Sequence, residues 1–376
     1  MGLIVFLFFV SIFFIFHAYF GYPLSLLLIR IFGKNQRKRH PVHLPATLII
    51  TVYNEEKRIK EKLDNTLKLN YPEGNLQILV ASDGSDDGTN DIVKAYEKYG
   101  VELLEVVNRG GKENAQKEAI PHARGEILIF SDVATKIEPQ GLMEIVSNFA
   151  DPSVGCVSSE DRLIDRDGKP SGEGLYVRYE MWLRLLESQV NTLVGLSGSF
   201  FAARKQVCQD FSGEVQSDFR TLLSSVKIGL KGVSDPKAIG YYLDIADEKK
   251  EFDRKIRTVL RGLTVFFNHL EFLNIKKYGL FSYQLFCHKL LRWLVPFFLF
   301  SAFVSNALLI FSPLFFILFL CQFVFYGLAV YGWKIHLLKG IFKIPMFFMI
   351  VNAAIAVAWW QFFSGKRIVL WTPSRR

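Results

Sequence analysis

From Gly2 to Ile29 the chain has no Asp, Glu, Lys or Arg, and the same holds from Trp293 to Trp333 and from Ile344 to Gly365. The first run exceeds the ~20 residues that cross a bilayer, the second holds two such spans turning near Ser312-Pro313, and the third is one more. The chain therefore carries about four hydrophobic segments, and an ordinary soluble globule is excluded. No basic n-region or small-residue cleavage site marks the first run as a signal peptide, so it reads as a retained anchor. Cysteine is scarce: Cys156, Cys208, Cys287 and Cys321 are scattered without C-x-x-C spacing, which excludes a disulfide framework and fits reduced thiols in a cytoplasmic and membrane setting. There is no G-x-G-x-x-G dinucleotide fingerprint, and no repeated half or intramembrane charge of the kind transporters carry.

The formal charge of +9 is carried by nine residues beside the apolar runs: Arg30, Lys34, Arg37, Lys38 and Arg39 after the first, and Lys366, Arg367, Arg375 and Arg376 after the last. The rest of the chain is neutral overall, so its basicity points to anionic lipid and not to DNA or RNA. The first cluster puts residues from about 30 onward in the cytoplasm by the positive-inside rule. Three further spans would leave the basic tail outside, which conflicts with that rule, and the C-terminal topology stays open.

Between the apolar runs the pattern alternates. Ala46 to Val52 is a β-branched strand ending at Tyr53-Asn54-Glu55-Glu56, and a helical pattern runs from there to about Leu69. Leu76 to Ala81, Glu102 to Val107 and Ile127 to Phe130 are further strands. The stretch Leu79 to Thr89, LVASDGSDDGT, passes from strand to acidic turn to a helix over Asn90 to Tyr99. This is an α/β layer with a mostly parallel sheet. In such a sheet the C-terminal strand ends share one edge. Thr51 to Glu55, Asp83, Arg109-Gly110-Gly111-Lys112 and Asp132 therefore converge there as a candidate ligand site. Taken singly, Asp86 or Asp87 could simply cap a helix, Tyr53 could be a packed aromatic and Lys112 a surface lysine.

The ordered motifs TVYNEE (51 to 56), ASDGSDDGT (81 to 89), NRGGKENAQKEA (108 to 119), FSDVAT (130 to 135), SGSFFAAR (197 to 204), QSD (216 to 218), GLKGVSDPKA (229 to 238) and RKIRTVLRGL (254 to 263) resemble the membrane-embedded, inverting family 2 glycosyltransferases. The resemblance implies a GT-A nucleotide-sugar-binding fold over residues 45–262, between an N-terminal transmembrane helix (1–30) with a basic linker (31–44) and interfacial amphipathic helices (263–291). About three C-terminal transmembrane helices (292–365) and a basic tail (366–376) complete the expected division.

By resemblance, Thr51, Tyr53, Glu55 and Asp83 hold the nucleoside, Lys112 and Arg261 the diphosphate, and Asp132 a divalent cation, Mg²⁺ or Mn²⁺. The second acid of the family's D-x-D is replaced by Ala134, so that metal role is weakened. Asp218 stands where the family keeps its catalytic base, although an Asp there also suits the N-cap of a helix from Phe219 to Ile228. Ser197, Gly198 and Ser199 line the acceptor side, with a plain turn before a strand as the alternative. Arg254, Arg257 and Arg261 share one helical face. Where processive members read Q-x-x-R-W, this chain reads Thr258-Val259-Leu260-Arg261-Gly262, which favours transfer of one or a few sugars. The implied partners are a nucleotide sugar, most simply a UDP-sugar, a lipid-linked or glycan acceptor, the bilayer and a possible biosynthetic complex, with no nucleic acid. The implied setting is a bacterial or archaeal cytoplasmic membrane with the catalytic domain inside. The alternatives are a polyprenyl-phosphate sugar synthase and a catalytically weakened scaffold subunit that binds nucleotide sugar.

Overall fold

The computed structural model describes residues 1–33, 38–164, 175–243, 248–335 and 340–368. Lys34 and Arg37 of the first basic cluster, and Arg375 and Arg376 of the tail, lie outside the described residues. The chain divides into two compact units, one centred on Leu26–Ala246, the other on Met1–Ser25, Asp247–Ile275 and Ser282–Arg367.

The first unit is built on an eight-stranded sheet of order β3-β2-β1-β4-β7-β6-β8-β5. β1 (Ala46–Val52) is buried at every position, as expected of an apolar strand covered on both faces. It pairs in parallel with β2 (Leu76–Asp83) and with β4 (Ile127–Asp132), and β2 pairs in parallel with β3 (Val101–Val106). The Glu56–Thr66 and Lys112–Ala119 helices supply crossovers between these strands. Beyond β4 the direction changes. β7 (Phe200–Arg204) runs antiparallel to β4 and to β6 (Val154–Ile164), β8 (Lys231–Leu243) is parallel to β6, and the short β5 (Lys136–Ile137) is antiparallel to β8. The sheet is therefore mixed, with four of its seven pairings parallel.

That reversal positions the site. Ser131 pairs with Phe200, so the start of β7 lies beside the end of β4, and the Asp132 N–H donates to Ser199 O at 3.0 Å. At the foot of the same sheet a Cβ on Gly125 would stand 2.4 Å from Ala46 C and 2.5 Å from Thr47 N. Only glycine allows that approach.

Not all of the first basic cluster is free to meet lipid. Arg39 Nε donates to Asp235 at 2.9 Å and its guanidinium also pairs with Glu144. Arg30 donates to Gln189 Oε1 at 2.9 Å. These cations are folded onto the domain.

The second unit holds helices long and apolar enough to cross a membrane. Four such runs occur among the described residues: Gly2–Phe32, Leu280–Leu308, Pro313–Lys334 and Lys343–Phe363. Within it Ser11 Oγ donates to Ser301 Oγ at 2.9 Å, Trp359 Nε1 to Trp293 O at 2.7 Å, and Phe8 meets Phe315 edge-on. The sequence pattern starts the second apolar run at Trp293. The helix instead begins at Leu280 and runs through π-helical turns at Phe286–Leu291. Lys289 and Arg292 thus fall on a candidate span, contrary to the expectation of none with charge, and the last part of the segment expected to be interfacial, from Leu280, is continuous with that span.

Candidate donor and acceptor site

Asp83 ends β2 and is 2% exposed. Its two carboxylate oxygens accept the N–H groups of Gly110 at 2.9 Å and Gly111 at 2.8 Å. Gly111 has φ +94°, a left-handed geometry that glycine adopts without strain, and it starts the Lys112–Ala119 helix. This clasp delivers Lys112 to the sheet edge. There Lys112 Nζ donates to Gly198 O at 2.7 Å and pairs with Asp132 Oδ1 at 2.5 Å. Lys112 is 8% exposed, so it is not a solvated surface lysine.

At the end of β1 the Arg109 guanidinium lies 3.7 Å from the centre of the Tyr53 ring, a close cation–π contact. Thr51 pairs with Ala81 on one side and with Asp132 on the other. Its Oγ1 is buried without a hydrogen-bond partner among the described residues. Glu55 is buried and its carboxylate is taken by Arg58, with bonds of 2.7 and 2.5 Å. The acidic turn is structural in part: Asp86 bonds Asn54, and Asp87 accepts the N–H groups of Thr89 and Glu56.

Beneath Asp132 lies a residue that sequence reasoning missed. Lys62 is 2% exposed and donates to Ser131 Oγ and Thr135 O, both at 2.6 Å. Burial pulls its ammonium down to about 7, while the Asp132 carboxylate pushes it back up. Its signal was its position. Ile59, Leu63 and Thr66 form the buried stripe of the Glu56–Thr66 helix, and Lys62 stands three residues after Ile59 on that stripe.

For a divalent cation the chain offers Asp132 at the turn, followed by Val133 and Ala134. Among the described residues no group of three His, Cys, Asp or Glu side chains could cage a metal. Asp132 alone would hold a cation such as Mg²⁺, which is commonly bound through one or two carboxylates and keeps several waters.

Ser197, Gly198 and Ser199, expected on the acceptor side, precede β7. The second missed residue, Asp161, accepts from Ser197 Oγ at 2.6 Å and from Ser199 Oγ at 3.3 Å. It sits in the outer half of β6, where a carboxylate reads as an ordinary solvent-facing residue. Asp218 falls in the first turn of the Ser217–Lys227 helix, whose N-cap is Gln216 with no side-chain capping bond. Capping is therefore not its role. Asp218 accepts from Gln216 Nε2 at 3.1 Å, and its Oδ2 lies 3.4 Å from where a Cβ on Gly198 would stand. The structure thus brings Lys112, Asp132, Ser197, Gly198, Ser199 and Asp218 together.

Arg261 lies on the Glu248–Phe267 helix, which belongs to the other unit. On that helix Arg254 pairs with Glu251 at 2.7 Å. Burial lowers the Arg257 guanidinium, and the neighbouring Arg261 and Arg254 lower it further. Such mutual repulsion is relieved by an anion.

A parallel half-sheet whose strand-end edge gathers a clasped Gly-Gly-Lys loop and acidic residues is an α/β fold with polar groups where its ligands ordinarily sit. Residues 47–211 match the family model described as Glycosyl transferase family 2. The mannosyltransferase PcManGT from Pyrobaculum calidifontis, solved in complex with GDP-Man and Mn²⁺, superposes with a TM-score of 0.74 at 22% identity. The match covers 96% of this chain and 100% of that one, and it shows the fold. The poly-β-1,6-N-acetyl-D-glucosamine synthase of Staphylococcus epidermidis is 28% identical over 119 residues, 31% of this chain and 28% of that protein. The dolichyl-phosphate β-glucosyltransferase ALG5D of Trichomonas vaginalis is 36% identical over 109 residues, 26% of this chain and 33% of that protein. The chain thus spans about a third or less of these two curated relatives. Residues 47–211 thus match a family 2 glycosyltransferase domain, and the fold is of the GT-A kind.

Proposed function

We propose that the protein moves a sugar from a nucleotide sugar, specifically a UDP-sugar, to a hydroxyl of a lipid-linked or polysaccharide acceptor, with inversion, at the cytoplasmic face of a membrane. Its products belong to cell-surface glycan or exopolysaccharide synthesis. The observation that carries this reading is the convergence on Gly198. The Gly198 carbonyl accepts from Lys112, which pairs with Asp132, while Asp218 stands 3.4 Å from the missing Cβ. A cation for the diphosphate and a carboxylate for the acceptor thus flank one patch of bare backbone, where two sugars could meet.

In the proposed step the Asp218 carboxylate takes the acceptor hydroxyl's proton as that oxygen bonds to the anomeric carbon. The bond from that carbon to the diphosphate oxygen breaks, and the nucleoside diphosphate leaves with the electron pair on the opposite face. Lys112 neutralises the developing charge. Tyr53 under Arg109, Thr51, Glu55 and the Asp83 clasp frame the nucleoside side, and Ser197 to Ser199 the acceptor side. Asp132 would hold a divalent cation, which when bound neutralises diphosphate charge.

A second reading, transfer to a polyprenyl phosphate, is favoured by the likeness to the dolichyl-phosphate glucosyltransferase. That acceptor is already an anion and needs no base. The test is incorporation of labelled sugar into the lipid extract of membranes holding wild type or Asp218→Asn. Loss of ~100-fold or more in the variant supports a hydroxyl acceptor. Near-wild-type incorporation supports the phosphate acceptor, and donor binding without incorporation by wild type supports a scaffold within a biosynthetic complex.

A further inference from the structure

Lys62 puts a charge on a core position. Its ammonium is buried on the inner stripe of the Glu56–Thr66 helix, and its hydrogen bonds to Ser131 Oγ and Thr135 O are both to neutral oxygens. A Met would fill the same volume without the cost of removing a cation from water. The two oxygens it grips stand at either end of the Ser131–Thr135 turn. That turn carries Asp132 and is closed by the Thr135 N–H donating to Asp132 O at 3.2 Å. Asp132 pairs with Lys112 on the site side, while Lys62 holds the Ser131 and Thr135 oxygens that flank it.

We propose that Lys62 is a positioning residue of the donor site: by tying the two ends of the Ser131–Thr135 turn it fixes the Asp132 carboxylate beside Lys112, where the donor diphosphate binds. This rests on reading Asp132 as a donor-site residue. Lys62 lies behind the turn and acts only through Asp132, so its effect on the ligand is conditional on that carboxylate.

That conditionality is measurable in a double-mutant cycle. Binding of UDP, GDP and dTDP, each with Mn²⁺, is measured by calorimetry on the detergent-solubilised full chain as wild type, Lys62→Met, Asp132→Asn and the double variant. Cooperative unfolding of each is checked alongside. The expected result is about tenfold weaker binding for Lys62→Met in the wild-type background and less than twofold in the Asp132→Asn background. Equal weakening in both backgrounds would show a merely structural lysine and overturn the proposal, as would no weakening in either. If Lys62→Met does not fold, Lys62→Gln, which keeps a hydrogen bond without the charge, carries the same cycle. A wild type that binds none of the three nucleotides, or an Asp132→Asn variant that binds as wild type does, overturns the donor-site reading and the role of Lys62 with it.

Discussion

Asp83→Asn changes one oxygen for an NH₂ group and should still be more disruptive at this site than its size suggests. In the wild type both carboxylate oxygens accept loop N–H groups, from Gly110 and Gly111, in a position only 2% exposed. Hydrogen bonds to a charged group contribute ~1.5–3 kcal/mol each, and a neutral one ~1 kcal/mol. In the variant one glycine keeps a neutral carbonyl partner, while the other N–H faces a second donor and stays unsatisfied. The combined loss is about 3 kcal/mol, or about 100-fold in the ratio of closed to open loop. Asp83→Ala should be milder, because water can enter the space and bond both N–H groups. Amide hydrogen exchange of the ligand-free protein reads this directly: protection of Gly110 and Gly111 should fall by up to ~100-fold in Asp83→Asn. Nucleotide is absent, so any direct contact of Asp83 with a nucleoside does not enter. Unchanged protection would refute the idea that Asp83 clasps the loop that presents Lys112.

Gly125→Ala forces a Cβ to within 2.4 Å of backbone at Ala46, and a denaturant titration should show a loss of ~1–3 kcal/mol or more. Arg39→Ala leaves Asp235, which is 3% exposed, without its cation. Since Arg39 itself is about a third exposed, the cost is discounted to ~1–2 kcal/mol, and adding Asp235→Asn should recover part of the melting temperature. With a single carboxylate at the Asp132 turn, Mn²⁺ should give a bound electron paramagnetic resonance signal only when a nucleoside diphosphate is added. A tight Mn²⁺ signal without nucleotide would contradict the donor-dependent site.

The strands of the parallel half could be read from the sequence because they are continuous apolar runs closed by polar turns: β1 runs from Ala46 to Val52 as expected, and β2 to β4 fall within a few residues of expectation. The antiparallel half could not. β6 loses its apolar pattern after Ser158, and β8 carries Asp235-Pro236-Lys237 through its middle, so neither alternates like a half-buried strand. The charge-free runs announced the helices long and apolar enough to cross a membrane but not the start of Leu280–Leu308, where Lys289 and Arg292 hide a continuous helix. In the site, strand-end polar residues were visible as candidates while their partners were not. Nothing local tells that Asp83 grips Gly110 and Gly111 or that Asp161 holds the Ser197 and Ser199 hydroxyls. These contacts join residues far apart in the chain. Lys62 sits in plain view on an apolar stripe and escapes notice because a lysine is usually counted as solvent-facing.

The central claim, inverting transfer from a nucleotide sugar with Asp218 as base, is tested most directly by nucleotide release. Membranes containing the full chain and endogenous lipid are supplied with UDP-, GDP- and dTDP-sugars, for wild type, wild type with EDTA, and Asp218→Asn. The account predicts release from one donor, a UDP-sugar, that falls by ~100-fold or more in Asp218→Asn and drops sharply with EDTA. Release undiminished by Asp218→Asn, or no release from any donor that the protein binds, would contradict it.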